Sequence, residues 1–254
     1  MPADHDYDTL ASVYDWIVPE ALTTPRGSVE AFLPYLDDVP AGARVLDCAA
    51  GAGPLAVGLA QRGFAVTATD ASAGMIDRVR ALAGAEGVDV VAQVCLWAEL
   101  AAQGFEPFDA VLCVGNSLAH ARGRAARQAA LGAMARVMRP GGVLVLTSRN
   151  FEQIRAERWG LKVFDHVVVR DGRPGVPIYS WWIAENWEDM HEFDVAVALI
   201  GDDGTVVTPG ERLQFWPFSS EMLDEDLRAV GLEPETTSYA ADVPNYVVTA
   251  RRPH

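Results

Sequence analysis

Val45-Leu46-Asp47-Cys48-Ala49-Ala50-Gly51-Ala52-Gly53 reads as a short buried strand, a carboxylate at its end, and a turn of small residues running into a helix. Such a turn lets a ligand lie against bare backbone, in the crevice beyond the strand ends where open α/β sheets bind ligands. Seventeen residues past Gly53, the apolar run Phe64-Ala65-Val66-Thr67-Ala68-Thr69 ends in Asp70. A carboxylate at that point is placed to accept hydrogen bonds from two ribose hydroxyls. Together the two segments describe a nucleoside-binding half-site.

The pattern spreads outward from there. We expect strands at 43–48, 64–69, 88–95, 108–114 and 142–148, and helices near 54–62, 72–84 and 123–138 with a weaker one at 98–103. Strands alternating with helices imply a parallel sheet with right-handed crossovers. Upstream, Tyr7 to Phe32 reads as helical material broken at Pro19 and Pro25. Residues 161–215 lose the alternation and read as successive antiparallel strands, punctuated at Asp171-Gly172-Arg173-Pro174-Gly175 and Asp202-Asp203-Gly204. That stretch and its borders hold Trp159, Trp181, Trp182, Trp187 and Trp216. A final helix at 219–230 precedes strands near 233–240 and 244–250. The expected architecture is one domain over 1–254, with an N-terminal helical segment at 1–42. A doubly wound α/β sheet ends in an antiparallel hairpin, and residues 151–215 are inserted as an antiparallel β lid over the strand ends.

Composition narrows the partners. The chain has 254 residues, half of them apolar, enough for a full core. A formal charge of −15 repels phosphate backbones and anionic membranes, which argues against nucleic acid and membrane partners. The apolar runs are strand-length, and the acidic start Met1-Pro2-Ala3-Asp4-His5-Asp6 has no signal pattern. Three widely spaced cysteines, Cys48, Cys95 and Cys113, fit neither a disulfide framework nor a zinc site. A cytoplasmic protein acting on a small molecule, without a metal, is expected; assembly into a homo-oligomer stays open.

Gly51-x-Gly53-x-x-Ala56 also satisfies a loose dinucleotide fingerprint, so a nicotinamide oxidoreductase is one reading. Three features favour S-adenosylmethionine instead: Asp47 precedes the glycines, Gly58 comes two residues late for the third glycine, and the sheet ends antiparallel. Val45 through Met75 resembles motifs I and II of class I S-adenosylmethionine-dependent methyltransferases, especially the glycine N-methyltransferase and glycine/sarcosine methyltransferase group. Gly115-Asn116-Ser117-Leu118-Ala119-His120, Met138-Arg139-Pro140-Gly141-Gly142, Ser148-Arg149-Asn150-Phe151 and Glu211-Arg212-Leu213-Gln214-Phe215-Trp216-Pro217 follow in the same order. The likeness spans roughly residues 10–250 and implies a Rossmann-like seven-stranded sheet.

The resemblance also implies roles. Asp47, the Ala49 carbonyl, Gly51 and Gly53 would hold the methionine end of the cofactor, and Asp70 and Ala71 the ribose. Met75, Leu96, Trp97 and Val114 would lie at the adenine, although Met75 and Trp97 also read as core residues. Arg26 matches an arginine that grips the cofactor carboxylate, a contact suited to a guanidinium fork, or else it is a solvated surface charge. Tyr14 and Trp16 would close the same entrance. His120 would contact the cofactor and Asn116 the acceptor; nothing pairs His120 with a nucleophile or metal ligands. Arg149 would bind an acceptor carboxylate, unless Glu152 or Asp165 satisfies it internally.

Departures matter too. Tyr179 keeps one of the family's lid tyrosines, but Asp194-Val195 is aliphatic where another stands, the later pair is Phe215-Trp216, and Ser148 replaces a common histidine. The acceptor pocket is therefore expected to be more apolar. Trp181, Trp182 and Trp187 are candidates to cage a cationic or aromatic acceptor. Trp181 and Trp182 fall on opposite strand faces, however, so at most one of the two lines the pocket, and core packing is the default for the rest. Methyl transfer from a sulfonium needs alignment and water exclusion more than a base. N-methylation of a small carboxylate-bearing amine is expected, yielding S-adenosylhomocysteine. The alternatives are N- or O-methylation of a larger natural product and a non-catalytic S-adenosylmethionine-binding module.

Overall fold

The computed structural model describes residues 13–158 and 160–254; the expected helical material before Val13, and Trp159, lie outside them. Two short helices come first, α1 (Tyr14–Ile17) and α2 (Pro25–Phe32). Pro25 begins α2 and does not break it, because the first helical position needs no N–H donor. Then come β1 (Arg44–Asp47), α3 (Pro54–Gln61), β2 (Ala65–Asp70), α4 (Ala73–Glu86), β3 (Val90–Val94), β4 (Phe108–Cys113), α5 (Gly123–Val137) and β5 (Met138–Arg149). The weaker helix expected at 98–103 is a 3-10 turn, Trp97–Ala102. β5 starts earlier than expected because Met138 already pairs with Phe108 across a register shift.

The second half contains α6 (Phe151–Glu157), the strands β6 (Leu161–Val163), β7 (Val168–Arg170), β8 (Arg173–Trp182), β9 (His191–Ile200), β10 (Val206–Val207) and β11 (Gly210–Phe215), then α7 (Ser220–Ala229), β12 (Glu233–Thr237) and β13 (Asn245–Arg251). α6 was not expected; Asn150 caps it, its side chain accepting from Gln153 N–H at 3.0 Å. The Asn150 amide also donates to the carbonyls of Ala240 and Val243, tying the end of β5 to the hairpin.

The main sheet has seven strands in the order β12-β13-β5-β4-β1-β2-β3. β5, β4, β1, β2 and β3 are parallel, and β13 runs antiparallel to both β5 and β12. The strand order reverses between β1 and β4, so their following loops diverge and leave a crevice. Alternation divides the apolar strands between two cores. Val45, Ala110, Leu112, Val143 and Val145 face α2, α3 and α4, meeting Val29, Leu55, Leu59, Ile76 and Val79. Leu46, Val111, Leu144 and Leu146 face the other way, towards Leu131 and Met134 of α5 and Leu223 and Leu227 of α7. Burial on both faces explains why these strands read as unbroken apolar runs.

The inserted strands form a second, antiparallel sheet in the order β10-β9-β8-β6, with β11 on β9 and β7 on β8. Along β9, His191, Phe193, Val195, Val197 and Leu199 are buried while the residues between them are less so. Its inner face, with Trp181, Phe193, Leu213 and Phe215, joins the same core as α5 and α7. The lid is therefore packed into the body.

One buried ion pair binds the helices of that face. Asp226 on α7 meets Arg127 on α5 at 2.6 Å, with side-chain exposures of 0% and 2%, and accepts from Arg124 and Gln128 at 2.7 Å. Replacing Asp226 with Ala would leave Arg127 charged and buried. Urea titration should show about 3–5 kcal/mol of lost stability; a loss typical of a surface pair would contradict this account.

Candidate functional site

The turn after β1 is built by its neighbours. Cys48 N–H continues onto Leu112 at 2.9 Å and Ala50 N–H onto Thr69 at 3.1 Å. Gly51, at φ 52°, turns its N–H onto Asp70 Oδ2 at 2.9 Å, while Ser72 N–H reaches Asp70 Oδ1 at 2.9 Å. Asp70 thus joins the loops after β1 and β2, and each carboxylate oxygen keeps capacity to accept another donor. Burial raises its pKa, against the pull of those amides.

These loops floor a cavity of about 690 Å³. Asp47, Ala49, Gly51, Asp70, Ala71 and Met75 line it from the β1 and β2 side, and Leu96, Trp97, Val114 and His120 from the β3 and β4 side. Tyr14 closes it from α1, its hydroxyl 3.9 Å from where a Cβ on Gly51 would stand. The indole of Trp97 donates to the Cys48 carbonyl at 2.7 Å, which fixes the ring against the wall. Asp47 Oδ2 is buried without a hydrogen-bond partner. Burial pushes the Asp47 pKa up to about 7, opposed by the Ala49 backbone N–H and aided by the charge of Asp70. Burial lowers that of His120 to about 4, aided by the Arg149 charge and opposed by a bond to the Gln214 backbone.

Three expected cofactor residues lie off this wall. Trp16 is buried against the lid, its indole donating to the Arg173 carbonyl at 3.3 Å. Arg26, with an 85% exposed side chain, is drawn along the outside of α2 by Glu30 at 2.9 Å. Gly53 serves packing: at φ 92°, a Cβ there would stand 3.0 Å from Val79 of α4. Gly58, the misplaced third glycine, is likewise where α3 meets the Pro25 carbonyl and Val29 of α2.

The wall also includes residues the sequence did not single out: Val18, Leu22 and Phe32 before β1, and Ala121, Arg122, Ala126 and Ala130 around the start of α5. Apolar and small residues carry no signal separating a cavity wall from a core. Ser72 and Ser117 line it as well.

Asn116, Arg149 and Tyr179 stand outside the wall. Asn116 follows β4 at φ 64°, its N–H on Thr147 Oγ1 at 3.1 Å and its Oδ1 buried without a partner. Tyr179 donates to the Ile17 carbonyl at 3.4 Å. Arg149 lies over the faces of Trp181 and Phe193, and its charge acts on Tyr14, His120 and Tyr179. Glu152 accepts from Ser220 N–H and Asp165 pairs with His166.

The tryptophan cage is corrected. Trp181 is 5% exposed and inward, Trp182 is 66% exposed on the other face, and Trp187 packs on Arg155 at 4.6 Å. α1 is the common strap: Asp15 bonds Arg78 of α4 at 3.1 Å and takes Arg170 of β7 on its carbonyl, while Trp16 and Ile17 meet β8. Among the described residues no cluster of three or more metal-ligating side chains occurs, and no helix is long and apolar enough to cross a membrane.

Known proteins share this arrangement. A methyltransferase domain profile matches residues 45–142. A glycine N-methyltransferase from Oryctolagus cuniculus is 35% identical over 213 residues, 73% of this chain and 68% of that protein. A glycine/sarcosine N-methyltransferase from Aphanothece halophytica is 34% identical over 116 residues, 45% of this chain and 43% of that enzyme's length, so this match spans less than half of the relative. The CcbJ methyltransferase from Streptomyces caelestis superposes with a TM-score of 0.78 over the full length of both chains, at 20% identity.

The folded protein holds the Asp47 proton up to about pH 7, whereas an ordinary carboxyl releases it near 3.8. That proton stabilises the folded chain at low pH, and the contribution disappears as pH rises through about 7. Asp47→Asn should therefore gain stability relative to the parent as pH rises, levelling above neutrality, when both are unfolded in urea without ligand. A difference constant across that window would contradict it.

Proposed function

Because the chain belongs to the class I S-adenosylmethionine-dependent methyltransferases, with glycine N-methyltransferases among its relatives, we propose that it N-methylates a small acceptor carrying a carboxylate. The observation that carries the acceptor class is Arg149, a guanidinium delivered by the end of β5 against the aromatic rings of the lid. S-adenosylmethionine, when bound, supplies a methyl group on a sulfonium that is already an activated leaving group.

The residues present fit that cofactor. The buried, partnerless Asp47 Oδ2 suits the methionine ammonium, and the turn at Ala49 and Gly51 offers backbone without side-chain obstruction. Asp70, with Ala71 beside it, suits the ribose hydroxyls; Met75, Leu96, Trp97 and Val114 suit the adenine. Tyr14 and His120 close the far side.

On the acceptor side, Arg149 would take the carboxylate through its planar fork. Asn116 Oδ1 is a buried acceptor without a partner, suited to an N–H of the reacting amine. Tyr179 packs beside the lid's aromatic rings, its own ring 5.2 Å from that of Phe193. With His120 kept neutral above a pKa of about 4, it adds no charge against the cationic cofactor and is a weak base. The acceptor amine then loses its proton to solvent before the lid excludes water, so these side chains orient and desolvate the reactants. We read the protein as a cytoplasmic enzyme whose partner is a small molecule.

A panel of amines and hydroxyl compounds with labelled S-adenosylmethionine tests this. Carboxylate-bearing amines should be methylated, and Arg149→Ala should lower their kcat/KM by about 10²-fold or more while leaving uncharged acceptors little changed. Transfer to hydroxyl acceptors alone would overturn the reading. Cofactor affinity should fall as pH drops below about 7, where Asp47 is protonated, and Asp47→Asn should flatten that dependence in calorimetry.

A further inference from the structure

Trp181 on β8 and Phe193 on β9 are cross-strand partners, and their rings stack at 4.2 Å with 28° between planes. Phe215 of β11 braces both, with centroids 5.9 Å and 5.8 Å away, and Phe151 meets Trp181 edge-on at 6.4 Å. Over this stack lies the guanidinium of Arg149, its carbon 5.6 Å from the Trp181 centroid and 5.2 Å from that of Phe193. The arginine belongs to the main sheet and the rings to the lid. What holds the end of this long side chain is therefore an element inserted after it.

The geometry points to Trp181 and Phe193 as positioning residues for Arg149, which favour an anionic end of the acceptor over a permanent cation. This rests on the reading that an acceptor carboxylate meets Arg149. Aromatic faces attract cations through the ring quadrupole, and here the chain's own cation occupies two of them. An ammonium seeking the same rings meets a like charge, and the two repel. Burial keeps His120 unprotonated and Tyr14 and Tyr179 as neutral phenols, while Asp70 and Arg149 both act on Tyr14. A guanidinium also carries its N–H donors in its own plane. Contact with the rings restricts this flexible side chain before the acceptor arrives.

The test uses the full chain and its variants Trp181→Leu, Trp181→Phe and Phe193→Leu, each first checked for an intact melting transition and for S-adenosylhomocysteine affinity. The substrates are an amine acceptor bearing a carboxylate and its primary amide. Trp181→Leu and Phe193→Leu should raise KM for the carboxylate about tenfold, with kcat moving less. The acid-over-amide preference should fall by a similar factor, and Trp181→Phe should restore most of it. Acetate should compete with the acceptor and tetramethylammonium should not. Independently of turnover, the Arg149 Nε–H resonance, assigned through Arg149→Lys, should lie upfield in the parent and move downfield in Trp181→Leu. If the parent methylates no carboxylate-bearing amine, the acceptor reading fails and the resonance still decides the positioning. A folded Trp181→Leu with unchanged preference and unchanged resonance overturns the positioning, and competition by tetramethylammonium overturns the charge selection.

Discussion

Reversal of strand order between β1 and β4 is the constraint on which the rest depends. Two parallel neighbours whose chains then leave in opposite directions cannot fill the space beyond their carboxyl ends. The fold stabilises that gap with polar contacts, most directly through Asp70, which takes one backbone N–H from each of the loops after β1 and β2. The carboxylates nearest the gap carry raised pKa values because burial keeps them from water.

The lid follows from the same economy of surface. A sheet insertion of alternating strands has one apolar face to bury, and the open flank of the main sheet beside α5 and α7 receives it. Packing the two together brings Arg149, Tyr179 and His120 from separate stretches of chain into one electrostatic neighbourhood. The aromatic residues of β8, β9 and β11 thus join the core and also meet Arg149.

Local chemistry was readable from sequence where it is locally encoded. The strand, carboxylate and small-residue turn at 45–53 and the second strand ending in Asp70 carry their own geometry, so the sheet half and its crevice were legible. Gly53 was not, since a glycine required by a ligand and one required by Val79 of α4 look the same in one dimension. Trp16 depends on a carbonyl 157 positions away, and Arg26 on a glutamate one helical turn along; neither orientation has a sequence signature. The alanines of α5 were silent for a third reason, because a small residue that leaves space and one that fills it are the same residue. Alternation did separate Trp181 from Trp182, since strand periodicity is a property of backbone alone.

The strap α1 has a mechanical consequence. Its four consecutive residues reach four places: Tyr14 the cavity, Asp15 the body at Arg78, Trp16 the lid at Arg173, and Ile17 the lid at Tyr179. A single helical turn moves as one piece, so these contacts are made and lost together. Moving Tyr14 off the cavity would therefore also withdraw the Ile17 carbonyl from Tyr179.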